Sequence, residues 1–178
     1  ARRTGNAEAM IVAARMLGEV PTHEGKIDTT VKGGHDSQKQ AKPETTVASL
    51  LDEATDLAHG DQSVLAQIAS LRASASKGFV RTAYGTGPVR VYRQIPAGAA
   101  LTWEAIAQAG EPAIVGAVGD GDTDVDIKVF DANGHEICED IDNDYTPVCR
   151  WTPAWTGKFS VEVINNGDVW TGTAILSN

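Results

Sequence analysis

Thr123-Asp-Val-Asp-Ile-Lys-Val-Phe-Asp131 alternates through its centre, with Val125, Ile127 and Val129 apolar and Asp124, Asp126 and Lys128 polar. Successive side chains of a strand point to opposite faces, so this period of two predicts a half-buried strand in an antiparallel sheet. The run leads into Asn133-Gly134. Asn-Gly tolerates the positive φ that both central positions of a two-residue hairpin turn require. The pattern returns in Lys158–Val163, where Phe159, Val161 and Val163 oppose Lys158, Ser160 and Glu162, and a second pair follows at Asn166-Gly167. Val89, Val91, Ile114, Gly116 and Val118 continue the period. With about eight candidate strands between turn signals, residues 77–178 read as a β-sandwich or barrel.

Upstream of residue 77 the period changes. Met10, Ile11, Ala14 and Leu17 fall at helical spacing, and Gly18 is a stop signal. Val47, Leu50, Leu51, Ala54, Leu57 and Ala58 form a second apolar stripe, with Thr45 or Thr46 to cap it and Gly60 to end it. Asp61 then caps a third stripe of Val64, Leu65, Ile68 and Leu71, so the Gly60-Asp61 junction predicts an αα-hairpin. Residues 21–43 are polar and carry Gly33-Gly34, which reads as loop. The expected organisation is a helical segment over 1–76 containing the loop 21–43, followed by a sandwich over 77–178, α+β overall and mainly β.

The formal net charge is -9. Such a surface repels phosphate backbones and anionic membranes, because nucleic-acid binding relies on Lys and Arg to release counterions. No apolar run approaches the roughly 18 residues of a membrane helix. Cations are the natural small partners.

Asp120, Asp122, Asp124 and Asp126 alternate along one turn-like stretch, and Glu139, Asp140, Asp142 and Asp144 follow one hairpin later. Alternate carboxylates converge their oxygens, and calcium takes six to eight hard oxygen ligands. The stretch is not an EF-hand: counted from Asp120, position six is Val125 rather than Gly, and position twelve is Asp131 rather than Glu. The competing reading is a solvated acidic turn. Cys138 and Cys149, the chain's two cysteines, flank the second acidic stretch. They favour a disulfide and an oxidising compartment over a zinc site, which needs four ligands, or over two buried thiols. Trp151 reads as core. Trp155 is a candidate sugar-stacking ring, set against the commoner role of sandwich aromatics in the core.

Taken in order, Asp122 to Gly134, the acidic loop, and Trp151-Thr-Pro-Ala-Trp-Thr-Gly-Lys-Phe-Ser-Val-Glu-Val163 resemble the bacterial pre-peptidase C-terminal domain. That family has an Asp-Leu-Asp-Leu-Tyr-Val-Tyr-Asp strand and a later Thr-Gly-x-Tyr-x-Val-x-Val strand. The resemblance covers about residues 89–178. It implies a secreted jelly-roll-like sandwich used for targeting or for binding matrix or carbohydrate, with calcium in some members. Asp124 and Asp126 match the family's paired aspartates by position. These 178 residues depart from the family pattern in carrying no protease segment beside the domain.

No Gly-x-Ser-x-Gly elbow and no His-Glu-x-x-His zinc motif occurs, and the phosphate loop and dinucleotide glycine fingerprint are missing too. The sequence therefore points to a non-enzymatic, secreted or periplasmic protein with a calcium-supported binding module for a protein, polysaccharide or surface ligand. A structural subunit of a self-assembling homo-oligomer is the alternative, and a small hydrolase the third.

Overall fold

A computed structural model describes residues 4–19, 22–39, 44–75 and 88–178. The chain divides into two compact units, Ala1–Thr22 with Pro43–Gly87, and His23–Lys42 with Pro88–Asn178.

The first unit is helical. It comprises α1 (Ala7–Glu19), α2 (Val47–Leu57) and α3 (Gln62–Ala75). Met10, Ile11 and Ala14 meet Leu50, Leu51, Ala54, Val64 and Ile68 in one apolar core. Thr46 caps α2 by a capping box with Ser49. After α2 the chain turns through His59 and Gly60, both at positive φ. Asp61 then opens α3, its Oδ1 accepting from the Ser63 and Val64 amides. Gly18 does not stop α1, which runs on to Glu19; a single helical glycine costs only about 1 kcal/mol relative to alanine.

The second unit is the sandwich. Its strands are β1 (His23–Glu24), β2 (Thr30–His35), β3 (Val89–Ile95), β4 (Ala97–Ala107), β5 (Ala113–Val118), β6 (Val125–Phe130), β7 (Glu136–Asp140), β8 (Val148–Trp151), β9 (Gly157–Asn165) and β10 (Thr171–Ser177). They form two five-stranded sheets, β1-β3-β10-β5-β8 and β2-β4-β9-β6-β7. The pairs β3/β10, β4/β9, β5/β8 and β6/β7 are nested one inside the next, all antiparallel. This is a long hairpin rolled over itself, the jelly-roll arrangement. Leu101, Trp103, Val115, Val125, Ile127, Val129, Phe159, Val161, Val163 and Ile175 fill the space between the sheets. The alternation in residues 123–131 and 158–163 thus marks strands facing the core.

Three details depart from expectation. The segment 21–43, read as loop, carries β1 parallel to β3 in one sheet and β2 antiparallel to β4 in the other. Residues 23–39 therefore belong to the sandwich, as a strap running from one sheet to the other. All six residues of β2 are exposed, so the strand has no apolar alternation to betray it.

The first Asn-Gly turn is not the two-residue type. Asp131 donates its amide to the His135 carbonyl at 2.8 Å and accepts from the Gly134 amide at 3.0 Å. Gly134 takes the positive φ of 81°, while Asn133 does not. That is a three-residue loop with a left-handed glycine. It is fixed by the Asp131 carboxylate, which accepts from the Asn133 and His135 amides.

At Asn166-Gly167 neither residue has positive φ. The turn hangs instead on fully buried Asn165. Its Nδ2 donates to the Ile95, Pro96 and Val169 carbonyls, and its Oδ1 accepts from the Gly167 amide.

The acidic end of the sandwich as candidate functional site

The two acidic stretches do lie side by side. Val125 donates its amide to the Asp144 carbonyl, and Gly119 to the Tyr145 carbonyl, each at 2.8 Å. The side chains, however, divide into three groups with different partners.

Asp120 and Asp122 close on Lys39, from the end of the strap. The Lys39 ammonium lies 2.7 Å from Asp120 Oδ2 and 2.9 Å from Asp122 Oδ2. It donates to the Trp170 carbonyl at 3.0 Å and sits 4.7 Å from the centre of the Trp170 ring. An ammonium has three donors, and three oxygens meet it. Lys39 and Asp120 side chains are only 8% and 9% exposed. Burial pulls the Lys39 pKa down, but the hydrogen bonds and charges of Asp120 and Asp122 together outweigh it, so the net shift is upward.

Asp120 also accepts from the Thr171 hydroxyl and the Gly172 amide. Gly172 leaves room for the Tyr92 hydroxyl, and a Cβ there would push the Tyr92 ring aside. Burial, reinforced by the Asp120 charge, raises the Tyr92 pKa. Sequence reasoning missed Lys39, Tyr92 and Trp170 as members of this group.

Asp124 and Asp126 form the second group. Asn166 Nδ2 donates to Asp126 Oδ2 at 2.7 Å and to Asp124 Oδ2 at 3.1 Å. The other oxygen of each, Oδ1, is buried without a hydrogen-bond partner. Asp126 is 9% exposed. Its pKa is raised, first by burial and then by the Asp124 and Asp140 charges, against the opposing Asn166 bond and Lys128 charge.

In the third group, Asp140 and Asp144 serve the local backbone. Asp140 accepts from the Val148 amide at 2.8 Å. Asp144 Oδ1 accepts from the Thr146 amide and hydroxyl. Asp142 is exposed in the turn, and Glu139 pairs with Lys128 at 3.0 Å. Among the described residues, no three His, Cys, Asp or Glu side chains converge as a ready-made metal polyhedron.

Cys138 and Cys149 are disulfide-bonded. Because β7 and β8 lie at the same edge of different sheets, the bridge staples the sandwich shut there. Trp151 is buried and packs on Phe159 with ring centres 5.8 Å apart. Trp155 stacks on the same ring at 6.3 Å and is 49% exposed. One of its faces is therefore covered by the core and the other is wet. On β5 the inward residues are Val115 and Ala117, which leaves Ile114 and Val118 exposed beside Val148.

No family model and no curated protein sequence matches the chain. Among solved structures, the chain is similar to PliG of Aeromonas hydrophila, a periplasmic lysozyme inhibitor of g-type lysozyme. The identity is 14% and the TM-score 0.38, over 56% of this chain and 93% of that one. No described helix is long and apolar enough to cross a membrane.

Proposed function

We propose that this is an exported, non-catalytic binding protein whose jelly roll is supported by calcium at Asp124 and Asp126, in the manner of the pre-peptidase C-terminal domain. The observation that carries the reading is the pair of buried, unpartnered carboxylate oxygens, Asp124 Oδ1 and Asp126 Oδ1. A buried charge without a partner is costly, and proteins relieve it with a proton or a counter-ion. Two carboxylates joined by one Asn166 amide leave room in their coordination for a hard cation. Water and backbone carbonyls would supply the remaining ligands, and Asp140 adds charge nearby. So sparse a donor set fits the weak end of protein calcium sites, with Kd on the order of 0.1–1 mM.

Export rests on the disulfide, since such bridges persist in oxidising compartments. The non-catalytic reading rests on the histidines whose side chains are described. His35 and His59 are exposed. The exposed His135 is occupied with Asp131 in a hairpin turn, where its Nδ1 lies 3.2 Å from the carboxylate. None is paired with a nucleophile in any described hydrogen bond.

The apolar outer residues Ile114, Val118 and Val148 favour a protein partner over a polysaccharide. The same surface supports a second reading, self-assembly, which sedimentation at rising concentration tests by a mass increase.

The test of the first reading is thermal unfolding of the oxidised protein in millimolar calcium and in EDTA. Calcium raises the midpoint of the wild type, and the rise disappears in Asp124→Asn and Asp126→Asn. An identical midpoint in both buffers refutes the calcium site and leaves a shared proton to account for Asp126.

A further inference from the structure

The strap is held unevenly. Its first part is fixed by Arg93, which donates to the Ile27 carbonyl at 3.0 Å and to the Thr29 hydroxyl at 3.3 Å. Its middle, β2, adds a ladder to β4 but buries none of its six residues. Val31, its only large apolar residue, is 46% exposed. Lys32 reaches Glu162 of β9 only as a surface ion pair of 3.8 Å, a kind worth little. Apolar burial therefore holds β2 hardly at all. Past β2 the chain is gripped again. The Trp170 amide donates to Ser37 Oγ at 2.8 Å, and two residues on Lys39 enters its cage.

We infer that the Ser37–Lys39 end of the strap is a latch: Lys39, caged by Asp120, Asp122 and Trp170, fastens β2, and loss of its ammonium releases β2 from β4 while the rest of the sandwich stays folded. The inference does not depend on calcium, because the carboxylates of the cage are not the pair with orphan oxygens. Local opening draws on segments with few buried apolar contacts, and β2 is such a segment. What opening uncovers is specific. β2 pairs with residues 97–102 of β4, so its departure bares a row of backbone donors and acceptors on the far side of β4. A bare strand edge accepts an extended segment from another chain.

The latch is read by hydrogen exchange of the folded, oxidised protein. In Lys39→Met the β2 amides bonded to β4 exchange at least about tenfold faster, while the amides of β6 and β9 keep wild-type protection. Lys39→Arg retains most of the β2 protection, because it keeps the charge and the donors. In Lys39→Ala, added n-butylammonium slows β2 exchange again by refilling the cage, and tetramethylammonium, which has no N–H, does not. Unchanged β2 exchange in Lys39→Met overturns the latch. So does a uniform acceleration across β2, β6 and β9, or a variant that cannot fold at all, since either makes Lys39 a keystone of the whole unit.

Discussion

The two long edges of the sandwich are closed by different chemistry. At one, β7 and β8 face each other from opposite sheets and Cys138–Cys149 joins them covalently. At the other, β1 and β2 are two passes of a single strap, held by backbone ladders and by Lys39. The stapled edge brings a buried cysteine, Cys149, into the core, whereas the strapped edge contributes a strand with no buried residue. A covalent closure constrains the unfolded chain and is indifferent to salt and pH short of reduction. A closure made of one ammonium and two carboxylates depends on charge state. The contrast separates an edge built to stay shut from one that can be opened without unfolding.

Removing the staple has the largest expected effect. Cys138→Ala with Cys149→Ala should cost about 3 kcal/mol in chemical denaturation, the chain-entropy value for a short loop. A loss below about 1 kcal/mol would mean that β7 and β8 are held together without the bridge.

Calcium comes next. At ten times Kd a native-state ligand adds roughly 1.4 kcal/mol, or a midpoint shift of about 5 °C for a domain of this size. Asp126→Asn should reverse sign with the buffer, more stable than wild type in EDTA and less stable in saturating calcium. The reasoning is a linkage argument. The Asp126 pKa is raised in the fold, so the folded state holds its proton longer and ionisation above the unfolded value costs stability. Destabilisation by Asp126→Asn in EDTA would contradict the buried-charge account.

The strapped edge should titrate in base. The Lys39 pKa is raised above its ordinary value of 10.5, so its contribution is complete below that value and is lost as pH climbs through the folded pKa. Trp170 fluorescence, with the ammonium against its ring, should report an alkaline transition that Lys39→Met lacks. A transition of equal size in both proteins would assign the change to Tyr92 or another group.

The smallest effect belongs to the turn that leads to the stapled edge. The Asp131 pKa is lowered, chiefly by the His135 amide, so its contribution is present above 3.8 and lost as pH falls through the folded pKa. Asp131→Ala should flatten that part of the acid unfolding curve while leaving the β2 latch unaltered.

The stapled edge was largely legible in the sequence and the strapped edge was not, for a physical reason. Val125, Ile127 and Val129 advertise β6 because burial on one side of a strand enforces a period of two. Thr46, Gly60 and Asp61 announce their helix ends because caps act within three or four residues. A strand that buries nothing has no period, so Thr30–His35 passed for loop. The Lys39–Asp120 contact spans 81 residues of sequence, beyond any local signature. The acidic stretches were visible as charge. Their division into a lysine-filled cage, an orphaned pair and a set of turn caps was not, because it depends on Lys39 and Asn166 arriving from elsewhere. β5 corrects the expected phase: Ile114 and Val118, in the apolar set that alternation picks out, face outward, and Val115 and Ala117 turn inward, because the strand is apolar on both faces and alternation cannot choose between them.

The disulfide also limits reach. It closes residues 138–149 into a ring, and Asp140, Asp142 and Asp144 lie inside that ring. In the reduced chain only the β6/β7 ladder and the Val125–Asp144 backbone bond hold those carboxylates near Asp126. Oxidation adds a covalent limit on how far the ring can move. On the calcium reading proposed above, a reduced copy should show a smaller calcium response than an oxidised one at the same ion concentration.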